Sequence, residues 1–252
     1  MELARSWSIE QTDCIKAMAA MDADSVDLTL TDPPYEEVMH AAKSVPAARR
    51  LRVDSGPELK PLDFGAIGPI RLETAREIVR ITRGWALVFC TPEGIAAWRD
   101  AFELAGAKYK RACFWIKPDS APQMNGQGPA FAVEPFVAVW CGSGYSRWNG
   151  GGRRNWWKCP TNGPWRDGRH PTEKPSALMA DLCLHFSNRG SLVFDPFAGS
   201  GSTGVGALKS RRCFVGHEID PQWVAVAHER LAATDASLHA SPMLDFGSVA
   251  HG

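Results

Sequence analysis

Hydrophobic positions along this chain follow two periods. Short, dense apolar runs recur at SVDLTLTD (25–32), WALVFCT (85–91), SLVFDPF (191–197) and CFVGHEID (213–220), and these read as buried strands. SWSIEQTD (6–13) alternates more weakly and predicts a short strand. YKRACFWIKP (109–118) and EPFVAVWCG (134–142) predict an antiparallel pair. Between the strands the spacing changes to three and four. RLETAREIVRITR places Leu72, Ala75, Ile78 and Val79 near one helical face. CIKAMAAM, PEGIAAWRDAFELAG, PSALMADLCLHFSN and PQWVAVAHERLAA also predict helices, several with Pro near the start. Strands alternating with helices predict an α/β, doubly wound sheet. Residues 36–66 have no clear period and predict a long, mobile loop. Residues 1–234 read as one domain and 235–252 as a frayed tail.

Composition narrows the function classes. With 252 residues, 44% of them hydrophobic, the chain can build one substantial core. Lys and Arg number 28 against 28 Asp and Glu, so a nucleic-acid partner must be argued from local clusters. The seven cysteines are scattered, without a CxxC pair, and several lie in apolar runs. That pattern predicts reduced core thiols, no disulfide framework and no metal site. The first residues lack an apolar h-region and no run reaches membrane-span length, so a cytoplasmic protein without a membrane partner is expected.

The chemistry concentrates at strand ends. Gly199, Gly201 and Gly204 of FDPFAGSGSTGVGA satisfy G-x-G-x-x-G after a strand and at the entry to a helix. Such glycines permit a tight turn and close approach of a ligand to the backbone. Glu218, at the end of the next strand, is placed to take both hydroxyls of a ribose. A nucleoside cofactor follows, with NAD(P) and S-adenosylmethionine both open at this point. The other notable strand end is Asp32-Pro33-Pro34-Tyr35. Two consecutive prolines can continue neither helix nor strand, so a carboxylate, carbonyls and a ring stand on a stiff corner.

Asp32 to Tyr35 resembles the catalytic DPPY motif of the DNA amino-methyltransferases, and DPFAGSG (195–201) resembles their cofactor motif. HPTEKP (170–175) resembles a third motif, and Asp13-Cys14 with the strand after it resembles the family's opening segment. The resemblance spans about residues 8–232, with the catalytic motif ahead of the cofactor motif, as in the beta group. It implies a Rossmann-like sheet of seven strands, one antiparallel, in permuted order, and S-adenosylmethionine as cofactor. It implies that Asp32 and the Pro33 carbonyl accept the N–H groups of an exocyclic amine on a flipped base, with Pro34 stiffening the corner and Tyr35 stacking. Around the cofactor it implies Asp13, Cys14, Asp32, Thr172, Lys174, Asp195, Phe197, Ala198, Gly199, Gly201, Ser202, Thr203 and Glu218. Within that set, Lys174 and Thr172 reach the methionine carboxylate.

In the beta group the target-recognition segment falls in the interval that here covers residues 142–169. It contains Arg147, Arg153, Arg154, Lys158, Arg166 and Arg169 among Trp148, Trp156, Trp157 and Trp165, a mixture suited to phosphates and bases. Arg147, Arg153, Arg154, Trp156, Lys158, Arg166 and Arg169 are the expected DNA contacts, although a Trp-rich cover over the sheet end would leave the same pattern. Adenine N6 is the expected target, because the motif begins with Asp and not with the serine of its variant. Cytosine N4 stays open, as does a non-catalytic nucleic-acid-binding protein on the same fold. Homodimerisation and a partner restriction endonuclease are open as well.

Overall fold

The computed structural model describes residues 6–34, 67–122, 128–163 and 173–240. The expected mobile loop 36–66, Tyr35, Arg166, Arg169 and Thr172 lie outside the described residues.

One sheet organises the chain. Its strands are β1 (Trp7–Gln11), β2 (Val26–Thr31), β3 (Thr82–Phe89), β4 (Lys108–Ile116), β5 (Val133–Trp140), β6 (Trp156–Lys158), β7 (Leu192–Asp195) and β8 (Cys213–Glu218). Their order is β1-β8-β7-β2-β3-β5-β4-β6. Only β5 runs antiparallel to both neighbours, pairing Val88↔Val137 with β3 and Cys113↔Phe136 with β4. The sheet therefore has one strand more than expected. The extra strand is β6, which adds to β4 in parallel register, Trp115↔Trp157. It comes from the Trp-rich segment, where three strand residues among glycines leave no readable period.

Helices cover both faces. α1 (Cys14–Ala19), α2 (Arg71–Ile81) and α3 (Gly94–Leu104) supply Met18, Ile78, Trp98 and Phe102 to one buried cluster. α4 (Ser176–Phe186), α5 (Ser202–Lys209) and α6 (Pro221–Ala240) supply Leu178, Leu182, Phe186, Val205 and Leu231 to the other. The strands feed both clusters by alternation. Leu28, Leu30, Leu87 and Phe89 face the second, while Val26, Ala86 and Val88 face the first. α6 continues to Ala240, so residues 235–240 are helix and not the start of a tail. Ser6 tethers that extension through Asp235 at 3.2 Å.

Strand order reverses between β7 and β2. The chain leaves β2 for β3 on one side and leaves β7 for β8 on the other. In an open α/β sheet the crevice at the carboxyl ends of such a pair is where ligands bind. Asp32 and Asp195 stand on either side of it.

Candidate active site

β8 ends on Glu218, and β1 delivers Thr12 beside it, with Thr12 N donating to the Glu218 carbonyl at 3.0 Å. Asp13 then caps α1, accepting from Ile15 N and Lys16 N at 3.1 Å each. Cys14 is buried beside it, and burial pushes its thiol up to about 11, so it stays an unreactive thiol. The opening segment and Glu218 thus meet at one sheet end, although they are some 200 residues apart.

The glycine-rich turn joins them. Gly201 sits at φ +83 and caps α5, a conformation that resists any Cβ. At Gly204 a Cβ would fall 2.6 Å from both Leu231 and Phe214, so the glycine sets how closely α5 packs on α6 and β8. The turn folds back onto Glu218. One carboxylate oxygen accepts from Gly199 N at 2.9 Å, and the other from Ile219 N at 2.8 Å and Asp220 N at 3.0 Å. Phe197 is half-buried against the first core cluster and Ala198 is buried.

Asp195 is buried at the foot of the turn. It accepts from Thr31 Oγ1 at 2.6 Å and Phe197 N at 3.0 Å, with the Thr203 side chain as a further partner. It therefore pins β2 to the cofactor turn. Burial pushes its carboxyl up to about 6, against these hydrogen bonds. Ser202 and Thr203 are buried and face protein groups. Ser202 Oγ lies 3.4 Å from Arg230 Nη1, which also donates to Ser200 O at 2.6 Å. Arg230 Nη2 donates to Glu173, fastening the HPTEKP segment to the turn.

At the Asp32-Pro33-Pro34 corner Pro33 is buried, and Asp32 is 23% exposed at its side chain. Lys174 Nζ lies 2.5 Å from Asp32 Oδ2 and 2.7 Å from Glu134 Oε1. Lys117 Nζ lies 2.6 Å from Glu134 Oε2. Asp32 Oδ1 has no hydrogen-bond partner among the described residues. Burial pushes the Asp32 carboxyl up, opposed chiefly by Lys174. Glu134 is held below its ordinary value; burial acts to raise it, but Lys174 and Lys117 outweigh that. The Lys174 ammonium is buried over the Phe89 ring and lies against two carboxylates of its own chain. Neither Glu134 nor Lys117 was expected at the site. The available signal was a charge opening the apolar run EPFVAVW.

The Trp-rich segment divides between core and surface. Trp157 is 2% exposed and packs on Phe136 and Phe186. Trp148 closes over Phe186 and His185. Trp156, next to it on β6, is 40% exposed, as alternation requires, and Lys158 is exposed with it. Trp156, Gly152, Arg153 and Arg154 line an open hollow of about 310 Å³. Arg153 also lies 3.6 Å from Asp181. Arg147 is exposed, its carbonyl held by the Trp85 indole. All seven cysteines are free, and no metal-binding cluster occurs among the described residues. No described helix is long and apolar enough to cross a membrane.

A sequence profile of the N6_N4_Mtase family, DNA methylase, matches residues 26–229. The chain belongs to this family. The DNA methylase fold recurs in solved structures. The M1.HpyAVI–SAM complex superposes with a TM-score of 0.67 at 20% identity, over 89% of this chain and 98% of that one. The cytosine-N4-specific PvuII DNA methyltransferase superposes with 0.64 at 16% identity, over 90% and 86%. Among sequence relatives, Type II methyltransferase M2.DpnII of Streptococcus pneumoniae is 24% identical over 245 residues, 88% of each chain. YubD of Escherichia coli (strain K12), named for an inferred methylase activity, is 29% identical over 238 residues, 90% of this chain and 91% of that one. The family's methyl donor is S-adenosylmethionine. The residues present suit it: a turn with Gly199 and Gly201 at positive φ and Gly204 without room for a Cβ, an acid at the neighbouring strand end, and across the crevice an acceptor, Asp32 Oδ1, without a partner among the described residues.

Proposed function

We propose that this DNA methylase transfers a methyl group to the N6 amine of adenine in DNA. The observation that carries the reading is the Asp32 carboxylate at the switch point, its Oδ1 without a hydrogen-bond partner among the described residues, on the same sheet end as the glycine turn and Glu218. Bound S-adenosylmethionine supplies a methyl group already activated on a sulfonium. Glu218 holds the ribose hydroxyls through lone pairs left after its three backbone bonds. Asp13 and Cys14 stand near the adenine ring of the cofactor, and Phe197, Ala198, Gly199 and Gly201 line its methionine side. Asp195, Ser202 and Thr203 serve the site indirectly, by fixing the turn.

An exocyclic amine is a poor nucleophile because its lone pair is delocalised into the ring. Asp32 Oδ1 and the Pro33 carbonyl accept its two hydrogens, which localises that pair. The sulfonium would leave as a neutral thioether, and the methylated nitrogen would then shed one proton to solvent. Asp32 stabilises the positive charge that grows on nitrogen. The stiffness given by Pro33 and Pro34 keeps both acceptors in place before the base arrives. Tyr35 stacks on the flipped base. Arg147, Arg153, Arg154, Lys158 and Trp156 form the DNA face, together with Arg166 and Arg169 from the same segment.

Adenine is favoured over cytosine because the motif is led by Asp. The test is to incubate unmodified plasmid DNA with the protein and S-adenosylmethionine and to sequence for modified bases. N6-methyladenine at a defined site is expected. N4-methylcytosine would overturn the base assignment. Cofactor and DNA binding without any methyl transfer would favour the non-catalytic reading.

A further inference from the structure

Methyl transfer as proposed above requires a group that only accepts hydrogen bonds, and a protonated Asp32 would fail. Four elements bring charge to that carboxylate. Lys174 comes from the segment before α4, Glu134 from β5, Lys117 from the end of β4 and Asp195 from the end of β7. The carboxylates of Glu134 and Asp195 disfavour ionisation of Asp32, and so does its burial. Among the described residues Lys174 is the cation in contact with it, and its side chain is 3% exposed.

We propose that Lys174 is the positioning residue of Asp32. Gripped between Asp32 Oδ2 and Glu134, it keeps the carboxylate ionised and turned so that Oδ1 faces the target amine. Glu134 anchors the ammonium from behind, and Lys117 holds the second oxygen of Glu134. The proposal rests on the methyltransferase reading of the site. Stability alone does not account for the arrangement, since a buried ion pair is commonly no better than an apolar replacement of the same volume. A lone ammonium bridging two acids from different strands does fix the direction of each. The arrangement also explains why a lysine of the HPTEKP segment is directed inward.

The experiment is the pH dependence of kcat for methyl transfer to plasmid DNA, with S-adenosylmethionine affinity measured by calorimetry on the same proteins. In Lys174→Met the acid limb should move up by about 1–3 pH units, the range over which a neighbouring opposite charge lowers a carboxyl. Cofactor affinity should be unchanged, and Lys174→Arg should restore most of the limb. Lys117→Met, a milder change at a more exposed residue, should move the limb the same way by less. This variant carries the test if Lys174→Met does not fold. An unmoved limb in the folded variants overturns the proposal. So does a Lys174→Met protein whose only defect is weak cofactor binding, which would place the ammonium on the methionine carboxylate. An unaltered protein that binds cofactor and DNA yet transfers no methyl group overturns the parent reading, and this proposal with it.

Discussion

Two acids on the same sheet edge are held in opposite ways. Glu218 is held by backbone, receiving three N–H groups from Gly199, Ile219 and Asp220. Asp32 is held by a side-chain ion, 142 positions away in sequence, that is shared with Glu134. Backbone donors cannot rotate away, so Glu218 is a fixed acceptor. An ammonium shared between two carboxylates holds both, so the charge and aim of Asp32 depend on Lys174 and Glu134. On the roles proposed above, the cofactor side is a backbone cradle and the target side a preorganised set of charges.

The largest effect should come from removing the balanced acid. Asp32→Ala should lower kcat by roughly 10²–10³-fold or more, the scale of losing one preorganised electrostatic group. Cofactor affinity should stay near its original value. A comparable loss of S-adenosylmethionine binding, read by calorimetry, would erase the distinction between the two acids.

Next comes Asp195, which joins the two sides. Its folded carboxyl titrates at about 6, above the ordinary unfolded value. Between about pH 4 and 6 the native state therefore keeps a proton that the unfolded chain has lost. This group's contribution to stability falls as pH rises through that window, by about 3 kcal/mol in all. Asp195→Asn should flatten that part of the curve in denaturant titrations at a series of pH values. An unchanged curve would mean that this carboxyl is not the group responsible.

Glu218→Ala should weaken S-adenosylmethionine binding by about 1–3 kcal/mol, the scale of charge-assisted hydrogen bonds. At saturating cofactor its kcat should be little changed, since on the proposed reading this acid serves the cofactor and not the target amine. A large loss of kcat at saturation would break the contrast from the other side. The smallest effect concerns charges held by neither device. Changing Arg153 and Arg154 together to Ala should leave melting temperature nearly unchanged. Each lost phosphate contact should reduce the slope of log K against log salt by roughly 0.9 on duplex DNA. An unchanged slope would show that DNA does not use the hollow beside β6.

The contrast also explains what could be read from sequence. Groups held by backbone are local, so Gly199, Gly201 and Glu218 announce themselves through spacing along one βαβ unit. The alternation that separates Leu28 from Thr29 likewise gave strands and helices their order. Partners of Asp32 are not local. Glu134 reaches it because β5 runs antiparallel beside β3, and Lys174 because a segment from another motif folds over Phe89. No period or spacing records such a meeting. The Trp-rich segment stayed undivided in the sequence for a third reason. Composition cannot tell Trp156 from Trp157, but the three-residue strand β6 alternates, sending one outward and the other into the core.

Strand β6 has a consequence for how such enzymes can be re-targeted. It is anchored along its length by parallel pairing with β4 and by Trp157 in the core, and at its ends Asn155 Nδ2 donates to Ala112 O at 2.9 Å, Phe114 N to Asn155 O at 2.9 Å, and the Trp115 indole to Cys159 O at 2.7 Å. The residues ahead of it, 149–154, form a glycine-rich excursion that is mostly exposed. Asn149 is tied to α4, its N donating to His185 O at 2.9 Å, so a longer or different excursion fits between Asn149 and Asn155, where loop length adds little closure entropy. Such a splice leaves β6 and the charges around Asp32 in place. On the proposed reading of this segment as the DNA face, the fold offers a port: a place where what is recognised can be exchanged while what is done to it stays the same.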